Sequence, residues 1–334
     1  MVLSCTEPRH AIRSCLADVS IRAVVVSVFA LMPELPEVET VARGLQMTVA
    51  GRRIVSVTLG KTDFIDNPSD LEQHLPGQLI ARVERFGKFM LMRLSREISG
   101  ATASPSARGD SLLVHLGMTG HLSPHAAAEP FPKHTHARFL LDDGRELRYT
   151  DARRFGRMAY FAAEHLPAEL SRFGADPLEI SEAEFAALLK SHKSRIKALL
   201  LDQTALRGVG NIYADESLWR ARIHPMRIAA KISGDEALKL RSALQEILRE
   251  AIALRGSSII DFLDAEGEPG EYQRRHRAYG REGKPCYRCK TPIRRAIVAG
   301  RSSYFCSKCQ PAPRVAGKST RRSKHVTAHG KRTS

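Results

Sequence analysis

The chain has 334 residues, 43% of them hydrophobic, and a formal net charge of +16. That length favours two domains over one, and the hydrophobic content suffices for ordinary globular cores. The longest apolar run, Ala23–Leu31, falls far short of the ~20 residues a membrane-spanning helix needs. The excess of cations points to an anionic partner, either nucleic acid or an anionic membrane surface.

Residues 311–334 hold seven Lys/Arg and no acid, and residues 1–31 carry a net +1, which leaves +8 on the part between them. The basicity therefore belongs to the folded body as well as to the tail. Residues 1–31 read as an extension. Ala23–Leu31 would suit the apolar region of a signal peptide, but the cleavage site is weak. The following stretch, LMPELPEVETVARG (31–44), reads instead like the start of a protein, and translation from Met32 is the simpler expectation.

From Pro36 the pattern is helical. Pro36 suits the first helical position, Glu37 and Glu39 favour the positive end, Val38, Val41 and Leu45 share a face, and Gly51 is a stop. The period then becomes strand-like through RIVSVTL, QLIARVERF, KFMLMRL, SLLVHL, ARFLL, RELRY and RMAYF, with LDDGRE (141–146) as a hairpin turn. The small, polar run SREISGATASPSARGDS reads as a loop. After about Leu166 the pattern is helical again. A capping box, Ser181 to Glu184, opens SEAEFAALL. SRIKALLLDQ and GNIYADESLWRA follow. Leu240, Leu244, Ile247, Ala251 and Leu254 then repeat at helical spacing, which is core packing, up to a stop at Gly256.

Two C-x2-C knuckles, Cys286/Cys289 and Cys306/Cys309, enclose sixteen residues. That spacing matches a four-cysteine zinc ribbon, a closed and therefore structural site. Two disulfides would need an oxidising compartment, and a two-residue gap favours metal knuckles. The hairpin between the knuckles carries Arg294, Arg295 and Arg301, which suits phosphate contact or a solvated charged face. LRGVGNIYADESLWRARIHP (206–225) is a turn entering a helix. Gly208 and Gly210 would let backbone approach a ligand, and Asn211 would add a donor at a helix N-terminus; a plain helix–helix turn explains the pattern equally well. HLGMTG, KHTH and YTDARRFG sit at strand ends or in loops. Met118, Arg153 and Phe155 could wedge together into a base stack, or Met118 and Phe155 could be core residues.

In order along the chain, MPELPEVET, GKF, HLGMTG, YTDARRFG, GVGNIYADESL, IHP, YGREGKPC and the four-cysteine ribbon resemble the bacterial formamidopyrimidine-DNA glycosylases, over about Met32 to Gln310. The MPELPEVE opening favours this branch over the related endonuclease VIII, which prefers oxidised pyrimidines. The extension before Met32, the loop near 96–111 and the basic tail depart from the usual pattern.

The resemblance implies an α+β fold. Residues 32–166 would form a catalytic β-sandwich with flanking helices, 167–282 a helical helix–two-turn–helix domain with a lesion-covering loop around 264–281, 283–310 the zinc finger, and 311–334 a basic, disordered tail. It implies a glycosylase and AP lyase of base excision repair. The amine of Pro33 would be the nucleophile, through a Schiff base, and Glu34 the acid that opens the sugar ring. Lys88 would assist base release and contact phosphate, and Arg301 would serve later proton transfer and phosphate binding. His134, Arg153 and His192 match DNA-contact positions, although the family usually has a lysine where His192 stands. Asn211 matches a phosphate ligand, and Met118, Arg153 and Phe155 match the trio that fills the hole left by the extruded base. Cys286, Cys289, Cys306 and Cys309 would hold one structural zinc. The partner would be double-stranded DNA with oxidised bases, and the protein a monomer, not bound to membrane, working at the nucleoid in a bacterial cytoplasm. Two other readings stand beside this one: an endonuclease VIII-like enzyme for oxidised pyrimidines, and a non-catalytic zinc-containing DNA-binding protein in which the extension masks Pro33.

Overall fold

A computed structural model describes residues 32–96, 109–259 and 262–313. The extension 1–31, most of the loop near 96–111 and most of the basic tail lie outside the described residues. In chain order the first part contains helix α1 (Leu35–Val49), strand β1 (Ile54–Leu59), helix α2 (Pro68–His74), and strands β2 (Leu79–Phe86), β3 (Phe89–Ser95), β4 (Ser111–His115), β5 (Gly120–Ala126), β6 (Thr135–Leu141), β7 (Arg145–Asp151) and β8 (Arg157–Phe161). They form two antiparallel four-stranded sheets, ordered β1-β6-β7-β5 and β2-β3-β4-β8. The inward faces supply Met90, Met92, Val114, Phe139 and Tyr149, which pack with Val38, Val41 and Leu45 of α1 into one core.

Two elements escaped the sequence pattern. β5 has the sequence GHLSPHA, with a proline and one large apolar residue. It is tolerated because β5 is an edge strand, where a missing N–H breaks no ladder. α2 is only seven residues long and buries Leu71 alone.

The helical part contains α3 (Leu166–Leu170), α4 (Glu182–Ser191), α5 (Ile196–Leu201), α6 (Asn211–Ala221) and α7 (Gly234–Ala253). The predicted capping box holds: Glu184 N donates to Ser181 Oγ (3.2 Å) and Ser181 N to Glu184 Oε2 (2.8 Å). Leu240, Leu244, Ile247 and Ala251 of α7 are buried in a second core with Phe185, Leu200 and Tyr213. Leu35 belongs to this second core, whereas Val38 belongs to the first. The N-terminus of α1 is thus wedged between the two. An ion network ties them as well: Arg85 of β2 contacts Glu39 and Asp176, each at 2.8 Å. The last of the described elements form a hairpin of β9 (Ile293–Val298) and β10 (Arg301–Cys306), which packs on Trp219 of α6 through Ile293 and the cysteines.

Candidate active site between the two cores

Glu34 caps α1 from a position only 4% exposed. Its carboxylate reaches across to the other core, where Ile212 N donates to Oε1 (3.0 Å) and Tyr213 N to Oε2 (3.4 Å). These are free amides of the first turn of α6, the positive end of the helix. The GVG turn makes the approach possible. A Cβ on Gly210 would fall 2.1 Å from Glu34 Cδ, and Gly208, at φ +94, touches Leu35 and accepts its N–H through the carbonyl at 3.0 Å. The sequence suggested that these glycines admit a phosphate to the helix N-terminus. In the structure the group that approaches through these glycines is the chain's own Glu34, which takes the Ile212 and Tyr213 amides and leaves the Asn211 side chain to one side.

Burial pushes the Glu34 carboxyl up to about 7, with the Lys88 ammonium opposing, Glu37 adding to the rise, and the α6 amides opposing. Glu37 is buried beside it. Its Oε2 accepts Glu34 N (2.9 Å), and its Oε1 accepts Ser257 N (2.6 Å) and the Tyr213 hydroxyl. Burial raises Glu37 also, against those three donors. Glu37 therefore fixes the backbone of the Pro33–Glu34 segment to the root of the chain leading into residues 264–281.

Lys88 occupies the turn between β2 and β3. Gly87, at φ +63, takes the first central position of this two-residue hairpin, as a type II′ turn requires. The turn delivers a buried ammonium to the two carboxylates. Burial lowers the Lys88 pKa, Glu34 and Glu37 raise it, and the Arg301 guanidinium lowers it. Arg301 reaches this group from the tip of the β9–β10 hairpin, so residues far apart in sequence share one electrostatic neighbourhood.

Above Glu34 lies an open pocket lined by Met32, Pro33, Glu37, Met118, Thr119, Arg153, Ile212, Ser257, Ile259 and Phe262. Pro33, Met118 and Arg153 thus line one pocket. Phe155 is 43% exposed and stacks under the Arg153 guanidinium at 4.7 Å, so neither it nor Arg153 is core. Asp151 sets this apparatus. It accepts from Thr119 Oγ1 (2.6 Å), Arg153 N (3.2 Å), Gly156 N (2.9 Å) and the Tyr149 hydroxyl (3.2 Å), joining the Met118 and Arg153 loops. His115 supports the same loop. Its Nδ1 accepts Gly117 N at 3.1 Å, which requires the neutral ring, and burial pushes its pKa down to about 3.

His134 is exposed at φ +69, and its carbonyl accepts Asp151 N at 3.1 Å, close to the Arg153 loop. Asn211 opens α6 as a buried residue. His192 lies at the far end of α4. Its Nδ1 lies within hydrogen-bond distance of the Leu188 carbonyl (2.8 Å) and of Ser191 Oγ (2.9 Å).

The four cysteine sulfurs lie within 4.8 Å of one another. Tetrahedral zinc with bonds of about 2.3 Å holds its sulfurs about 3.8 Å apart, so the cluster fits one structural zinc and no other role for it is needed. Sequence reasoning missed Glu37, Asp151 and His115 as working parts. All three lie within or beside the quoted motifs, yet their partners are distant in sequence or are backbone amides, which no local pattern reveals.

Three family models match the sequence: the formamidopyrimidine-DNA glycosylase N-terminal domain over residues 32–158, the formamidopyrimidine-DNA glycosylase H2TH domain over 173–262, and the zinc finger found in FPG and IleRS over 283–312. The formamidopyrimidine-DNA glycosylase of Solibacter usitatus is 47% identical over 281 residues, spanning 84% of this chain and 99% of that protein. Among solved structures, the Lactococcus lactis Fpg in complex with DNA containing an abasic site is 32% identical with a TM-score of 0.74, covering 84% of this chain and all of that one. The MutM (FPG) protein of Thermus thermophilus is 40% identical with a TM-score of 0.71, covering 83% and 98%.

Proposed function

The chain belongs to the formamidopyrimidine-DNA glycosylase family, and from that premise and the geometry of the pocket we propose that it is a DNA glycosylase and AP lyase of base excision repair. It releases 8-oxoguanine and formamidopyrimidines from duplex DNA. The observation that carries this reading is Glu34: a carboxyl raised to about 7, buried under the pocket that Pro33 lines, with Lys88 beside it.

The reaction starts with the Pro33 nitrogen. Its lone pair forms a bond to C1′ of the everted nucleotide, the glycosidic bond breaks, and its electron pair departs on the base. The amine proton passes to solvent. Glu34, part protonated at neutral pH, gives its proton to the ring oxygen as the C1′–O bond opens, leaving an iminium and an ionised carboxylate. The iminium acidifies the C2′ proton. Loss of that proton expels the 3′ phosphate, and a second elimination expels the 5′ phosphate. Lys88 supplies positive charge during base release, and Arg301 serves the phosphate and the later proton transfers. Met118, Arg153 and Phe155 fill the vacated stack, and His134, Asn211 and His192 hold phosphates. Zinc in the four-thiolate site holds the hairpin in shape. The protein works as a monomer at the nucleoid in the cytoplasm; no helix among the described residues is long and apolar enough to cross a membrane.

The mechanism needs a free amine. Within a peptide the proline nitrogen has no proton, and its lone pair is delocalised into the carbonyl. The working enzyme therefore begins at Pro33, by translation from Met32 and methionine removal or by proteolysis. The match of the N-terminal family model from residue 32 supports this. Protein beginning at Pro33 should cleave 8-oxoguanine duplex and be trapped on it by borohydride, while verified full-length chain binds DNA and is inert in both assays. Trapping by the full-length chain would move the nucleophile to a lysine, Lys88 first. Preference for thymine glycol over 8-oxoguanine would favour the endonuclease VIII reading.

A further inference from the structure

We propose that Lys197 and Asp215, a buried ion pair outside the pocket, are positioning residues that aim Arg301 at the DNA backbone. The inference rests on the reading of Arg301 given above. Arg301 follows the two-residue turn Ala299–Gly300, where both φ values are positive, at the tip of the hairpin. Cys306, the nearest metal ligand on β10, lies five residues beyond it, roughly 17 Å along an extended strand. Zinc therefore fixes one end of a lever whose other end carries the guanidinium.

The ion pair grips that other end. Lys197 Nζ and Asp215 Oδ1 are 2.7 Å apart, and both side chains are at most 1% exposed. Lys197 Nζ donates to the Ser302 carbonyl (2.8 Å), and Asp215 Oδ2 accepts Tyr304 N (2.9 Å). Ser302 and Tyr304 alternate along β10, so their polar groups face away from β9, on the open edge of a two-stranded ribbon. The two side chains act there as a missing third strand. They come from α5 and α6, the helix whose first amides hold Glu34. The tip bearing Arg301 and the acid Glu34 are thus referred to one rigid element.

Stability alone does not account for this pair. A buried ion pair is commonly matched or bettered by apolar residues of similar volume. What the pair supplies is direction: one donor and one acceptor set one and three residues from Arg301.

The test uses chain beginning at Pro33, with zinc bound, on an abasic-site duplex in single turnover. Denaturing gels separate the 3′-unsaturated aldehyde left by the first elimination from the 3′-phosphate left by the second. Arg301→Ala sets the reference. Asp215→Asn keeps an acceptor for Tyr304 N but breaks the pair; Lys197→Met with Asp215→Leu removes both charges together and so avoids a lone buried ion. Each should lower the rate of the second elimination relative to the first by roughly tenfold, the scale expected for a group displaced by a fraction of an ångström to an ångström. Zinc content should stay at one per chain. In the Arg301→Ala background neither change should shift the ratio further, since groups acting through one another are non-additive. A wild-type ratio in both pair variants, with Arg301→Ala shifted, overturns the positioning role and leaves Arg301 its own. A further shift in the Arg301→Ala background overturns it too, by exposing another route. If Arg301→Ala itself leaves the ratio and DNA affinity unchanged, the reading of Arg301 falls and the proposal falls with it.

Discussion

Glu34→Gln should slow base excision and, above neutral pH, make the protein more stable. In the unfolded chain this carboxyl ionises near 4.5; in the folded protein burial moves it to about 7. The folded state therefore retains a proton that the unfolded state has lost between those values. The stability this gives is fully present below pH 4.5 and is lost as pH rises through about 7. The difference of about 2.5 pH units corresponds to about 3 kcal/mol. Glutamine has no proton to lose and keeps a carbonyl for the Ile212 amide, so its stability lacks this pH dependence. Urea unfolding of wild type and variant, followed from below pH 4.5 to above pH 7, should show the variant gaining about 3 kcal/mol relative to wild type across that interval. Base excision should fall by about 10²-fold or more, the usual contribution of a positioned acid. A stability difference constant with pH to within about 1 kcal/mol would refute the reasoning, since Glu34 would then ionise alike folded and unfolded.

Gly210→Ala places a methyl 2.1 Å from Glu34 Cδ and should cost base excision about 10²-fold by displacing the acid; single-turnover excision with an unchanged zinc content checks it. Cys309→Ala should release the metal, whose binding in such sites is worth on the order of 10–16 kcal/mol, and weaken DNA binding by freeing the hairpin; metal analysis with a binding titration decides, and full activity in a metal-free preparation would contradict it. Deleting residues 311–334, with their seven cations, should flatten the dependence of undamaged-DNA affinity on salt, which runs at about −0.9 per neutralised phosphate. An unchanged slope would mean that the tail does not touch DNA.

What could be read in advance was whatever local periodicity or spacing encodes. The α7 stripe, the Ser181 capping box and the two cysteine knuckles each declare themselves within a few residues. β5 did not, because Pro124 and two histidines interrupt its alternation, and only its place at a sheet edge makes that sequence acceptable. The glycines of the GVG turn were visible as a close approach, but the approaching group was not: Glu34 lies 178 residues from Ile212. Glu37 and Asp151 were hidden in the same way. Their work lies in backbone amides gathered from several loops, and a carboxylate looks alike in sequence whether it faces water or four donors.

The capping of α6 by Glu34 has a consequence for synthesis. The acid leaves the ribosome among the first residues of its domain, while the amides that hold it belong to a helix 178 residues later. At roughly 5–20 residues per second, the chain grows for about 10–35 s before the two can meet. During that interval the acid has no α6 to cap and sits in no buried pocket, so it ionises as any surface carboxylate does. Nascent protein therefore carries its reactive end exposed but chemically ordinary, and acquires its acid only when the helical part folds against it.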